Sequence, residues 1–309
     1  MKVFRAKISP NTSFATSLHS DSLFGALCWV IQKNEGTDSL KEFLVPFLEG
    51  EPPLIISNGF PGDLLPKPMI PFSIITDKHA KTGKEQLIKM AAEGKRIKKV
   101  EYLNLDEFNN VICGRKDNIS TKSKAYTDVA VVHNRINRWS GNTSEGGELF
   151  STVERFSAVD YWSIYIKAKK EWVEKIERWL EILGRMGFGK RKSVGKGSFA
   201  LVSFDEFNSF ELPQTVNAFV TLSNYVPSSR DPVEGFYKTF VKYGKLDNEY
   251  AIEGTPFKKP LLMMVPGSVF KTNNVKEFYG RMVTGITANY PEVVHYGYAF
   301  AIPAYVETA

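Results

Sequence analysis

The sequence predicts an α+β protein built of two units, the first a β-α-β-β-α-β arrangement with a large insertion. Three observations carry this. Residues 2–8 alternate apolar and basic side chains, and a helix pattern follows them directly. Residues 158–204 repeat the order as strand, amphipathic helix and strand. Between the two halves of this pattern lies a long stretch rich in proline and charge. With 309 residues the chain is long enough for two domains, and an apolar fraction of 43% is enough for real cores.

The first strand is expected over 2–8, where Val3, Ala6 and Ile8 alternate imperfectly with Lys2, Arg5 and Lys7. Ser20 suits an N-cap and Asp21 a first helical turn. The helix over 21–33 buries Leu23, Phe24, Leu27, Val30 and Ile31. A second strand begins at LIIS, and the prolines at 61, 66, 68 and 71 exclude a regular helix or central strand after it. Residues 77–124 are charged and poor in large apolar side chains, which predicts a peripheral insertion. Residues 126–156 read as a β-hairpin, with Val129, Val131 and His133 on one face and the turn at SGNTSEGG. A central strand is expected over 158–167 and a helix over 170–183. A strand over 198–204, buried on both faces or nearly so, closes the first unit near residue 206. The boundary falls in FNSFELPQ. Strands then follow at 216–223, on both sides of the Pro-Gly turn in 261–270, and at 293–306.

The chemistry is concentrated at 184–197, GRMGFGKRKSVGKG. It holds five glycines and five basic residues, and the nearest acids along the chain are Glu181 and Asp205. Glycine lets a backbone N–H approach a ligand closely, and cations without counter-charges attract phosphate. A P-loop is excluded. Gly184, Gly189 and Lys190 fit, but Arg191 stands where magnesium binding needs Ser or Thr, and the loop runs from helix to strand. The dinucleotide fingerprint fails too, at Lys192. The expected ligand is a phosphodiester backbone; a solvated basic turn is the alternative. Lys190, Arg191, Lys192 and Lys196 would supply charge, Ser193 a hydroxyl, and Gly187, Gly189, Gly195 and Gly197 close main-chain approach. His133, Arg135 and Arg138 add a second basic cluster suited to phosphates and stacked bases.

A loop of the form G-x-G-(basic)-x-S-x-G-x-G, between the second helix and last strand of a ferredoxin-like (RRM-like) domain, resembles the RAMP superfamily of CRISPR RNA-binding proteins. SLHSDSLFGALCW, the LPKP segment around Lys67, HNRINR with its following SG and EG-x-LF, PGSVF and HYGYAFAIP resemble one RAMP family in order and spacing. That family is the type III-A (Csm) effector subunit that holds the 5′ end of the guide RNA. The resemblance implies tandem ferredoxin-like domains. The first, at 1–206, would carry an insertion over about 61–155 with a thumb-like projection. The second, at 207–309, would be smaller and degraded. It also implies a non-catalytic scaffold that binds the crRNA 5′ handle. Its partners would be a large polymerase-like Csm subunit and a backbone RAMP Csm subunit, with target RNA met indirectly. His19 and Lys67 join the expected RNA contacts on the same ground.

His19 also carries the enzymatic alternative. Guide-processing endoribonucleases of the superfamily resemble this chain, and some use a histidine near the first helix; metal-free RNA cleavage needs such an acid or base. A third reading is a small-anion-binding α+β protein. No cofactor or metal is expected, since Cys28 and Cys113 have no C-x-x-C neighbour and the acids form no recognisable metal motif. Nor is a membrane span: MKVFRAKI lacks a signal-peptide core, and no apolar run approaches the required length. The expected location is the cytoplasm. A net charge of +6 permits nucleic acid without requiring it.

Overall fold

The structure, a computed structural model, describes residues 1–71, 84–115, 119, 125–134, 136–143, 149–247, 250 and 256–307. The chain begins with β1 (Lys2–Pro10), α1 (Ser20–Glu35), α2 (Thr37–Leu48) and β2 (Leu54–Pro61). Next come β3 (Leu65–Pro66), α3 (Lys84–Lys99), β4 (Tyr102–Leu103), α4 (Leu105–Ile112), β5 (Tyr126–Asn134) and β6 (Leu149–Ser157). β7 (Trp162–Ala168), α5 (Val173–Met186) and β8 (Phe199–Glu206) follow. The remaining elements are strands: β9 (Ala218–Thr221), β10 (Gly235–Phe236), β11 (Thr239–Lys242), β12 (Leu261–Met264), β13 (Val269–Lys271), β14 (Tyr279–Val283), β15 (His295–Ala299) and β16 (Ala301–Ala304).

The main sheet has the order β2-β7-β1-β8, antiparallel throughout. β1 and β7 are central, with Ala6 opposite Ile164, and β7 is buried along almost its whole length. β2 continues through Pro61 because it is an edge strand, where a missing N–H costs no ladder bond. β8 lies on the other edge. Its outer face is open, with Val202 60% exposed, so the expectation of a strand buried on both faces fails there. α1 buries Leu23, Phe24, Leu27, Val30 and Ile31, as the periodicity predicts. α5 starts at Val173, after a short 3-10 turn, and buries Ile176, Trp179, Leu180 and Leu183.

Between β2 and β7 the chain leaves the sheet for 62–161. The low apolar content of 77–124 hides one packed piece. α4 is opened by a reciprocal cap between Asn104 and Glu107, and it buries Phe108, Val111 and Ile112 in the main core. β5 and β6 form the expected hairpin, paired from Tyr126–Ser157 to Asn134–Leu149. In the second half, the sheet β10-β13-β9-β16 stands beside the pairs β11-β12 and β14-β15. The apolar runs at 261–270 and 293–306 each divide between two sheets.

The two halves share one apolar core. Phe24 of α1 stacks on Tyr296 of β15 at 4.6 Å, and Phe47 packs against Tyr296 and Tyr298. The Tyr298 hydroxyl donates to the Phe47 carbonyl (2.7 Å), and the Tyr296 hydroxyl accepts from the Ile56 N–H (3.0 Å). A buried polar cluster at the start of α1 joins the halves a second time. Asp21, whose side chain is 1% exposed, pairs with Lys242 at 2.6 Å and accepts from Asn224 Nδ2 at 3.0 Å. Asn58 Oδ1 accepts from the N–H groups of Ser20 and Asn224. His295 Nε2 lies 3.8 Å from Asp21.

Burial alone would raise the Asp21 pKa, but Lys242 and then His295 outweigh it and hold the carboxyl at about 2. Burial lowers His295 to about 4, more than Asp21 raises it. Both folded values lie below the unfolded ones, 3.8 and 6.5, so both groups destabilise the fold as pH falls. The His295 limb runs from about 6.5 to about 4, and its size is on the order of 3 kcal/mol. Denaturant midpoints measured from pH 7.5 to 4.5 should fall across that window, and His295→Asn should flatten the slope. Asp21→Ala should cost about 3–5 kcal/mol, because it strands Lys242 among buried groups.

Candidate nucleic-acid interface

The 184–197 loop is shaped first by its own packing. Gly187 (φ 79°) closes α5 with its N–H on the Leu183 carbonyl at 2.9 Å. Phe188 is buried, and its N–H donates to the Gly197 carbonyl (2.9 Å), while the Gly197 N–H donates to Ser13 (3.0 Å). These bonds pinch the loop at its base. A Cβ on Gly197 would lie 2.0 Å from the Phe188 carbonyl oxygen, and one on Gly184 would lie 2.3 Å from that of Phe199. A Cβ on Gly187 would lie 2.9 Å from the Lys196 carbonyl oxygen, and one on Gly189 2.5 Å from Thr16 Cβ. Packing therefore accounts for four of the five glycines. Gly195, with φ 84°, is the one that opens to solvent.

Between the pinch points Arg191 adopts the left-handed conformation (φ 64°, ψ 20°), and a 3-10 turn over Lys192–Val194 follows. Non-glycine residues pay about 1–3 kcal/mol for such a backbone. Among the described residues, the N–H groups of Arg191, Lys192 and Ser193 have no hydrogen-bond partner. A left-handed residue followed by a helical one points successive N–H groups into a concavity that suits an anion. Lys190 and Ser193 are exposed beside it.

The cations are less free than their sequence neighbours suggest. Lys196 Nζ lies 2.7 Å from Glu154 of β6, and Lys192 pairs with Asp247. Both acids come from distant parts of the chain, so the expected absence of counter-charges is corrected for these two lysines. Arg191 lies over the Phe150 ring at 5.4 Å and donates to His133 Nδ1 at 3.4 Å. His133 stacks on Phe150 and contacts Thr152 Oγ1 through Nε2 at 2.9 Å. The loop and the β5–β6 hairpin therefore meet through His133, Arg191, Lys196 and Glu154. Arg138 lies apart, exposed in the hairpin turn beyond the last ladder pair, and Arg135 is outside the described residues.

The connection between β1 and α1 runs beneath the loop. The Lys190 N–H donates to Thr16 Oγ1 (2.9 Å) and the Ser198 N–H to Thr12 Oγ1 (3.1 Å). The same connection then lines a cleft of about 380 Å³ between the two halves. His19 stands in its wall with Phe60, Tyr102, Arg155, Trp162 and Phe240. Burial lowers the His19 pKa, with Asp21 opposing, which favours the neutral ring. Its edge meets Phe240 at 5.8 Å. Arg155 is held flat over Tyr126 at 3.7 Å by two bonds to Asp128. Lys67 is turned from the loop: its ammonium donates to the Ile97 carbonyl, and burial lowers its pKa. Glu154, Arg155 and Tyr102 escape the sequence: the first two lie in a stretch read only as a hairpin strand, and Tyr102 in one read only as a charged insertion. No group of three metal-binding side chains occurs among the described residues, and no described helix is long and apolar enough to cross a membrane.

Gly197→Ala should disrupt the loop base and increase hydrogen exchange across 187–197, since the new methyl meets main chain. Gly195→Ala meets open space, and should cost only about 1–2 kcal/mol for its positive φ in a thermal melt.

No protein-family model and no curated protein matches the chain. Solved structures do. A chain in the crystal structure of a Csm1–Csm4 cassette bound to pppApA superposes with a TM-score of 0.66 at 20% identity, covering 100% of both chains. The same cassette with cA4 gives 0.65 at 20% identity and the same coverage. A Csm3–Csm4 subcomplex of the type III-A CRISPR-Cas interference complex gives 0.62 at 16%, covering 99% of this chain and 100% of the other. Csm4 is the component common to these assemblies, and over its full length this chain shares their fold.

Proposed function

We propose that this chain is an RNA-binding scaffold subunit of a type III-A CRISPR effector, holding the 5′ handle of the crRNA. The observation that carries the reading is the Arg191–Ser193 turn. Its N–H groups, unpaired among the described residues, and the exposed Lys190 adjoin, along one connecting segment, a cleft walled by aromatic rings. Phosphates suit the turn. A base splayed from a single strand suits the cleft, where rings can stack on it and the neutral His19 can donate or accept. The fold shared with Csm4 supports two protein partners, a large polymerase-like subunit and a backbone RAMP subunit, with target RNA met only through the guide. Such a ribonucleoprotein would act in the cytoplasm.

The domain reading belongs to the same proposal. The strand order β2-β7-β1-β8, with α1 and α5 as the two crossovers, supports a ferredoxin-like unit over 1–206. The sheet β10-β13-β9-β16 would be the remnant of a second such unit over 207–309 that has lost its helices. His19 is taken as an RNA contact in the cleft wall beside Phe240, and its role as a base for cleavage is the alternative that the assay below decides.

The test is binding and cleavage in one assay, with labelled repeat RNA and no metal. The protein should bind the RNA and leave it intact. The plot of log affinity against log salt should be steep, and Lys190→Ala should flatten it by about 0.7 for one lost phosphate contact. Cleavage at one site, lost in His19→Ala, would replace this reading with an endoribonuclease. A shallow salt slope would replace it with a small-anion protein.

A further inference from the structure

We infer that Glu154 is the positioning residue of the phosphate-binding loop, and that Lys196 acts through Glu154 and not on RNA; the second clause rests on the function proposed above. The Glu154 side chain has no exposed surface. It stands on β6, where three segments cross. Oε2 accepts from Ser13 Oγ of the β1–α1 connection at 2.5 Å and from Lys196 Nζ of the loop at 2.7 Å. Oε1 has no hydrogen-bond partner and faces His133 Nε2 of β5 at 3.7 Å. The next residue, Arg155, exchanges both backbone hydrogen bonds with Phe14, so the strand is stitched to that connection at this level.

The carboxylate therefore meets the loop in two ways. One is a direct hydrogen bond, from Lys196. The other is a longer electrostatic contact through His133. The His133 Nδ1 accepts from Arg191, so its Nε2 carries the proton and donates to Thr152, with the Glu154 carboxylate 3.7 Å away. Arg191 and Lys196 bracket the turn whose N–H groups are unpaired among the described residues, so the two contacts set where those groups point. Lys196 already spends two of its three donors inward, on Glu154 and on Ser13 at 3.2 Å. Swinging it out to a phosphate would strip the enclosed carboxylate of the hydrogen bond that does most to hold it ionised. A loop cation read from sequence as an RNA contact is thus assigned to holding the loop.

Three variants separate positioning from contact: Glu154→Gln, Lys196→Met, and both together. Glu154→Gln keeps the shape and the Ser13 bond but loses the charge. Lys196→Met leaves the buried charge alone. The double variant removes both charges. Two readouts are taken: hydrogen exchange over 187–197, and the salt dependence of repeat-RNA binding. Each single variant should speed exchange in the loop and weaken binding roughly tenfold, as expected if a tenth of molecules keep the competent loop. The double should recover protection and affinity with the wild-type salt slope. The inference is overturned if exchange is unchanged in the singles, or if Lys196→Met and the double both flatten the slope by about 0.7. Should the wild type bind no RNA, the proposed function fails. Exchange then decides the positioning role alone, by whether the double restores the protection that the singles lose.

Discussion

The carboxylate of Asp21 is the constraint from which much of this molecule follows. It sits in the first turn of α1, where a negative charge is favoured by the helix dipole, and its side chain is almost wholly enclosed. An enclosed carboxylate has to be matched, and the match comes from the other half of the chain: the ammonium of Lys242 and the amide of Asn224. Asn58, on the edge of the main sheet, completes the cluster by accepting from Ser20 and Asn224. Aromatic rings of α1, α2 and β15 supply the bulk of the burial between the halves. The polar cluster, together with the Tyr296 and Tyr298 hydroxyls, fixes one register.

That register decides the geometry of the candidate interface. The segment between β1 and α1 is pinned at its far end by this cluster and at its near end by the main sheet. It has no regular structure of its own, yet it forms the floor of the glycine-rich loop through Thr12, Ser13 and Thr16. It also forms one wall of the cleft through Ser17, Leu18 and His19. The opposite wall includes Phe240, from the same short β11 strand that supplies Lys242. A displacement of the second half would therefore open the cleft and release the loop floor together. The N–H groups of the turn and the rings of the cleft are held at a fixed separation by one network.

The periodic elements were legible in the sequence. α1, α5 and the β5–β6 hairpin follow from spacing alone, and the glycine-rich loop was located correctly between helix and strand. What escaped has a common cause. α2 carries Pro46 within its last turn and passed unnoticed. α4 has only eight residues, in a stretch whose average composition is that of an exposed insertion. In the site itself, residue type locates the loop but not what its side chains and glycines touch. Four loop glycines are explained by the main chain or side chains they press against, and two lysines meet acids more than forty positions away in the chain. Spacing cannot show such pairings, because they exist only once β6 and the loop after β11 are folded against the loop. The same limit hid Arg155 and Tyr102, which enter the cleft from the insertion.

The most direct test of the account is to map where RNA touches the chain. Repeat RNA carrying photoreactive bases would be crosslinked to the purified protein and the modified peptides identified. The account predicts crosslinks to the cleft, at Tyr102, Trp162 or Phe240, and protection of Lys190 from chemical modification in the same complex. Crosslinks confined to other surfaces, with Lys190 unprotected, would contradict it.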